Sequence, residues 1–343
     1  MCKVLSTDDC LVLRGLAIMS IVMHNYCHIL PNVAHENEFY FSEEHNLYFW
    51  QHFFSTDFIF HLFSYFGHLG VPVFVFLTGY GLMSKYGGNS GVGVWSFIWA
   101  HYKKFLFPML FGMIAYLFFY GLIYSTLWEG WVQSLLAQLS LTNTFVFHPD
   151  WFIKPGPYWY FGMTMQLYII YRLLVHNHSK SFFLVFVLLS FVGLILLESK
   201  HYSIIWFKYN SLGWLLPFAI GLYIKKDICF KIKNWQWLLL LVCSATLIPL
   251  MFFNFYLWLL VPVVTLLFYF SLCRLMKGWC YKTFKFIGSL SMYVFVIHPI
   301  VREVVVNTFS SEYLYGGLIV YIIITILCAW LVSHFSKVFS LKR

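Results

Sequence analysis

Residues 11–30 read LVLRGLAIMSIVMHNYCHIL, a run that is almost entirely apolar. An α-helix needs about 20 such residues to cross the hydrocarbon part of a bilayer. The run follows Lys3 as the apolar part of a signal peptide would. However, Arg14 interrupts it and no small-x-small cleavage site follows at Pro31–Ala34. The stretch therefore predicts an uncleaved first transmembrane helix.

The composition of the whole chain extends this prediction. Of the 343 residues, 61% are hydrophobic and only 10% are charged, whereas soluble domains average about 25% charged residues. A soluble fold of this size cannot hide so much apolar surface, but in a bilayer that surface faces lipid. The net charge of +9 lies in short clusters between apolar runs, so we expect a lipid bilayer and no nucleic acid as a partner.

Ten apolar runs are long enough to cross a membrane. They cover approximately residues 11–30, 58–83, 104–125, 158–176, 181–198, 204–224, 235–253, 256–273, 284–303 and 314–335. An eleventh stretch, residues 131–147, is apolar but contains several Gln, Ser, Thr and Asn residues.

The distribution of Lys and Arg distinguishes ten spans from eleven, because cytoplasmic loops carry an excess of these residues. With ten spans and a cytoplasmic N-terminus, 18 of the 22 basic residues lie on the cytoplasmic side. The outer side keeps Lys154, Lys200, Lys208 and Arg302. Counting 131–147 as a span reverses every later loop and removes the bias, so this segment is predicted to be re-entrant or interfacial.

The predicted fold is therefore all-α and integral to the membrane, with about ten transmembrane helices and both termini in the cytoplasm. No Pro/Ser-rich linker, low-complexity tract or internal repeat divides the chain. We expect residues 1–343 to form a single membrane-embedded domain, with no soluble C-terminal domain.

Polar residues inside the first span indicate a functional site, because ionisable groups in a bilayer cost a few kcal/mol. Arg14 lies about one turn inside the cytoplasmic end, and His24 lies about 15 Å deeper, near the midplane. Asn25 is adjacent, and His28 follows one turn later on the face of His24.

Two later spans also contain residues that are unusual in a purely lipid-facing helix. Residues 66–83 read FGHLGVPVFVFLTGYGLM, in which small residues and Thr78 permit close helix approach or a cavity. Residues 288–303 read GSLSMYVFVIHPIVRE, which places His298 well inside the span. An ion pair at the outer interface explains Arg302 and Glu303, but it leaves His298 unexplained.

The predicted outer loop 31–57 contains five carboxylates and no Lys or Arg, and it is rich in aromatic rings. Carboxylates accept hydrogen bonds from hydroxyl groups and rings stack on the apolar face of a sugar, so the loop suits sugar binding. An acidic loop with an interfacial aromatic belt explains the same composition. Both interpretations stay open.

Together these segments resemble the acyltransferase-three family of bacterial membrane O-acyltransferases. Its opening signature, an arginine followed ten residues later by a histidine, matches Arg14 and His24, including the Arg14–Gly15 pair. Its Phe-rich second signature is similar to Gly70–Tyr80. Its middle signature resembles Trp159–Phe161 followed by Tyr168, and its last matches Gly288, Ser291, Tyr293 and His298.

The chain departs from the family pattern in two places. Paired arginines often precede a proline after the second span, whereas this chain has His101, Lys103 and Lys104 before Pro108. Many members have a glutamate in the middle signature, where this chain has Thr164.

The resemblance implies a cytoplasmic acyl-coenzyme A donor, no metal, and a hydroxyl of an extracytoplasmic glycan or lipid-linked sugar as acceptor. It also implies a multi-pass protein of the bacterial cytoplasmic (inner) membrane. His24 is the expected base or transient acyl carrier, and both roles need a neutral imidazole, which burial favours. Arg14, the second expected catalytic residue, would contact coenzyme A phosphate, with Lys103 and Lys104 as helpers. The expected cavity residues are Asn25, Thr78, Tyr168 and His298.

Two alternatives belong to other classes of protein. A secondary transporter of a small metabolite would also have ten spans with midplane charges, but the two matching halves with broken helices that are typical of transporters are not found. A metal- or haem-binding protein would use His24 and His28 as ligands one turn apart.

Overall fold

The computed structural model describes residues 5–87, 91–146, 153–176, 178–224, 232–309 and 313–340, and all regular structure in these ranges is helical. The first half contains α1 (Thr7–Cys27), α2 (Glu43–Gln51), α3 (Phe58–Phe66), α4 (Gly70–Tyr86), α5 (Val94–Tyr124), α6 (Trp131–Leu139) and α7 (Trp159–Ile170). The second half contains α8 (Lys180–Leu196), α9 (His201–Tyr209), α10 (Leu215–Tyr223), α11 (Asn234–Met251), α12 (Phe255–Trp258), α13 (Val261–Leu275), α14 (Gly278–Ser289), α15 (Ser291–Thr308) and α16 (Leu314–Ser340).

Five helices in the described ranges are long and apolar enough to cross a bilayer. They are α1, the continuous segment Phe58–Tyr86 that joins α3 to α4, α5, α11 and α16. Helices α14 and α15 together make a sixth if they count as one bent span. The predicted all-α membrane architecture is therefore confirmed.

The predicted count of ten spans is larger than the five or six spans that the helix lengths support. Four predicted runs fall on shorter or interrupted helices, namely α7, α8, α10 and α13, of 12, 17, 9 and 15 residues. The ten spans and the cytoplasmic termini stay predictions. Six of the basic residues used to orient the chain lie outside the described residues: Lys3, Lys225, Lys226, Lys231, Lys342 and Arg343.

The predicted span 284–303 is not one continuous helix. Helix α14 ends at Ser289, and α15 begins at Ser291 with its axis turned by 77°. A side chain at Gly288 would overlap the backbone carbonyl of Leu11 in α1, so the end of α14 presses directly against α1. Helix α14 also carries Lys282 and Lys285, which favour water over lipid.

The ambiguous stretch 131–147 forms only a short helix. Helix α6 has nine residues and a length of about 14 Å, less than half of the hydrocarbon thickness. It ends at Leu139, and residue 147 lies outside the described residues. No helix within residues 131–146 is long enough to span a membrane, and the re-entrant or interfacial placement stays a prediction.

Helix α1 lies at the centre of the fold, because glycines let several helices contact its backbone. Gly15 meets the backbone of Phe284 in α14 at a distance that leaves no room for a Cβ atom. A Cβ atom on Gly67, between α3 and α4, would lie 2.6 Å from the Cβ atom of His24. These contacts explain physically why glycines accompany the Arg14 and His24 motifs.

Candidate active site

A cavity of about 790 Å³ lies beside α1, and it contains most of the predicted site residues. Arg14 and His24 both line it, and their separation along the helix is about 15 Å. Beyond His24, the wall continues to Tyr124 at the end of α5 and to Glu303 in α15. One cavity therefore connects the first turns of α1 with the far ends of α5 and α15.

His24 is held as an oriented imidazole. Its Nδ1 atom lies 3.0 Å from the carbonyl oxygen of Ser64 and 3.3 Å from that of Phe63. Carbonyl oxygens only accept hydrogen bonds, so Nδ1 is the nitrogen that bears hydrogen and Nε2 holds the lone pair. No described residue forms a hydrogen bond with Nε2, and the side chain is only 5% exposed. This arrangement leaves a basic nitrogen available to a molecule in the cavity.

Two further histidines flank His24. The ring of His28 lies 4.8 Å from the ring of His24 between centroids, and that of His68 lies 5.7 Å from it. Both line the cavity, and the Nδ1 atom of each is buried without a hydrogen-bond partner among the described residues. Within those residues, no group of three or more His, Cys, Asp or Glu side chains is arranged to hold a metal ion.

The structure separates the predicted donor-binding residues. The side chain of Arg14 lines the cavity and makes no hydrogen bond or ion pair with any described residue. Lys103 and Lys104 are exposed on α5 and do not line it, and the Lys103 ammonium lies 5.9 Å from the Trp99 ring centroid. Of these three residues, only Arg14 lines the same cavity as His24.

Three of the four predicted cavity residues line the cavity: Asn25, Thr78 and Tyr168. Thr78 donates a hydrogen bond to the carbonyl oxygen of Phe74. Thr164, which stands where many family members have glutamate, also lines the cavity. His298 does not: it is fully buried in α15, and its Nδ1 atom pairs with the carbonyl oxygen of Val294.

The far end of the cavity is a polar network. Arg302 and Glu303 form the ion pair expected from the sequence, at 3.2 Å, and Arg302 also reaches the side-chain oxygen of Asn25 at 3.5 Å. Tyr116 and Tyr124 each donate a hydrogen bond to Glu303 at 3.2 Å. The two tyrosines were not predicted, although their spacing of two helical turns on α5 is a signal for a shared face.

Part of the predicted outer loop also enters the cavity wall, through Glu36, Glu38, Phe39 and Tyr40. Burial acts to raise the pKa of Glu36, but the rings of His28 and His24 outweigh burial and lower the pKa to about 2. Glu38 behaves in the opposite way, because burial and the neighbouring Glu36 carboxylate raise its pKa well above the usual range. Two acidic side chains in one loop therefore meet different environments.

These features define a multi-pass membrane protein with an oriented imidazole in the wall of a long internal cavity. A family model described as an acyltransferase domain matches residues 11–334, nearly the whole chain. The chain therefore belongs to the acyltransferase-three family, and it is an acyltransferase. No curated protein and no solved structure matches the chain significantly.

Proposed function

We propose that the protein transfers an acyl group, most simply acetyl, from cytoplasmic acyl-coenzyme A to a hydroxyl of an extracytoplasmic glycan or lipid-linked sugar. The observation that supports this proposal is the single cavity lined by Arg14 and His24. A donor entering beside Arg14 and an acceptor entering from the far end would meet at the imidazole. The proposal includes ten spans, both termini in the cytoplasm, one membrane domain and location in the bacterial inner membrane.

The chemistry follows from the free nitrogen of His24. Its Nε2 atom accepts the proton of the attacking hydroxyl while the hydroxyl oxygen bonds to the thioester carbon. The carbon–sulfur bond then breaks, and the coenzyme A thiolate leaves with the proton that His24 returns. A transient acyl group on the same nitrogen would divide this reaction into two steps.

Arg14 is proposed to bind a phosphate of coenzyme A. A guanidinium group forms charge-assisted hydrogen bonds with phosphate oxygens, and that of Arg14 is not occupied by a carboxylate of the described residues. Lys103 and Lys104 are proposed to attract the donor from outside the cavity, because both lie on the exposed surface of α5.

The test is the binding and turnover of acetyl-coenzyme A by purified protein in nanodiscs. We expect saturable binding and release of free thiol that increases when a glycan acceptor is added. If folded protein neither binds acetyl-coenzyme A nor longer acyl-coenzyme A, the proposed donor is wrong.

A further inference from the structure

Glu38 is an acidic side chain in the cavity wall whose hydrogen-bonding capacity is unused. It is only 7% exposed and lines the cavity. No described residue forms a hydrogen bond with its carboxyl group, and the Oε1 atom is buried. A buried polar atom without a partner costs free energy, which a ligand that supplies a donor would recover.

The loop around Glu38 is firmly held, so the position of this side chain is defined. The indole nitrogen of Trp258 donates to the carbonyl oxygen of Asn37 at 2.8 Å, one residue before Glu38. The hydroxyl of Ser64 donates to the carbonyl oxygen of Ala34 at 2.6 Å. The same loop is therefore fixed to α12 and to α3, the helix whose backbone orients His24.

A lysine lies behind Glu38 but does not neutralise it by direct contact. Lys208 is 5% exposed, and its ammonium lies 4.8 Å from the Trp214 ring centroid and 4.7 Å from that of Trp258. The positive charge of Lys208 acts on Glu38 only from a distance, because no ion pair within 4.0 Å joins the two side chains. The Lys208 ammonium is held by aromatic faces, so the Glu38 carboxyl group stays available to the cavity.

Aromatic rings form the wall beside Glu38. Phe39 and Tyr209 stack in parallel with their centroids 4.0 Å apart, and Trp159 lies 5.6 Å from Tyr209. All three line the cavity. A carboxyl group beside an apolar aromatic wall matches a molecule that has hydroxyl groups on a ring with apolar C–H faces.

We propose that Glu38 and the rings of Phe39, Trp159 and Tyr209 form a subsite for a pyranose ring, with the Glu38 carboxyl group accepting a hydrogen bond from a sugar hydroxyl. That this sugar is the acyl acceptor rests on the proposed function. Binding of the sugar at this subsite does not depend on the proposed function.

Saturation-transfer NMR tests this subsite with methyl hexopyranosides and methyl N-acetylhexosaminides as probes, on purified protein in nanodiscs without acyl-coenzyme A. We expect wild type to bind at least one probe. Glu38→Leu should weaken its affinity by about tenfold or more. Glu38→Gln, which keeps an acceptor oxygen, should bind to within about threefold of wild type.

Glu44→Leu is the matched control, because Glu44 belongs to the same outer loop but is exposed and outside the cavity. It should bind as wild type does. Phe39→Leu removes a ring without disturbing a carboxyl group, and it should weaken binding even if Glu38→Leu fails to fold. Failure of every probe to bind wild type would overturn the subsite, as would equal losses in Glu38→Gln and Glu38→Leu. Thiol release from acetyl-coenzyme A is measured separately, so its absence counts only against the proposed function.

Discussion

The Nδ1 atom of His24 in α1 lies 3.0 Å from the backbone carbonyl oxygen of Ser64 in α3. This contact determines which ring nitrogen holds the lone pair, because a carbonyl oxygen cannot donate. It involves backbone on the α3 side, so no side-chain substitution at position 64 removes it directly. The geometry of the proposed base therefore depends on how closely α1 and α3 pack.

Gly67→Ala tests this dependence on packing. The new Cβ atom would lie 2.6 Å from the Cβ atom of His24 and would push the imidazole away from its present position. Displacement of a catalytic group by about 1 Å can cost about a hundredfold in rate, so we expect kcat to fall by about tenfold to a hundredfold. The KM for the donor should change little, because Arg14 lies two to three turns away on α1.

The control for Gly67→Ala is Gly81→Ala in α4. No heavy atom lies within 4 Å of a Cβ atom at Gly81. Steady-state thiol release should therefore be unchanged in Gly81→Ala. Equal rates in both variants and wild type would show that close packing at Gly67 does not position the base.

Gly288→Ala should destabilise the protein. Its methyl group would collide with the backbone carbonyl of Leu11, where α14 presses against α1. Overpacking of this kind costs about 1–3 kcal/mol. Thermal unfolding followed by size-exclusion chromatography should show a lower Tm than for wild type. Gly316→Ala, where a Cβ atom meets nothing within 4 Å, should leave Tm unchanged or slightly higher, and equal Tm values for the two variants would contradict the account.

Arg14→Ala should weaken donor binding more than Lys103→Ala does. Arg14 lines the cavity without a carboxylate partner, whereas Lys103 is exposed outside it. Loss of a charge-assisted hydrogen bond corresponds to about 1.5–3 kcal/mol, or roughly tenfold to a hundredfold in Kd. Equilibrium binding of acetyl-coenzyme A measures both variants. A larger effect of Lys103→Ala would move the phosphate site to the surface of α5.

The orientation of the chain is testable by cysteine labelling. In a background with all eight cysteines replaced, Glu44→Cys should react with a membrane-impermeant maleimide in intact cells. Lys285→Cys should react only after the membrane is opened, because the positive-inside pattern places it in the cytoplasm. Labelling of both positions in intact cells would rule out the proposed orientation.

The sequence predicts the helical membrane architecture well, because runs of about 20 apolar residues are typical of helices that cross a bilayer. It gives no indication of the bend at Leu290, where the chain turns by 77° within an apolar run. Hydropathy reports composition and not direction, so the bend beside the close contact between Gly288 and α1 leaves no signal in it. The limits of the shorter helices, such as α10, are likewise determined by packing.

The candidate site was predicted where its residues share one helix. Arg14, His24 and Asn25 lie in one span, and helical rise alone relates their depths. His68, Glu36 and Glu38 come from a turn and a loop, so only tertiary packing brings them to the same cavity. His298 was predicted to line the cavity from its depth in the span, but depth does not determine the direction in which a side chain points, and His298 lies outside the cavity wall.

The most direct test of the central claim is thiol release from acetyl-coenzyme A in the presence of glycan acceptor, with wild type beside His24→Ala and His334→Ala. His334 is an exposed histidine on α16, outside the cavity. Removing a general base costs about a hundredfold to ten-thousandfold in rate. We therefore predict that His24→Ala, eluting as a folded protein, loses transfer while His334→Ala keeps it. Transfer at the wild-type rate by folded His24→Ala would contradict the account.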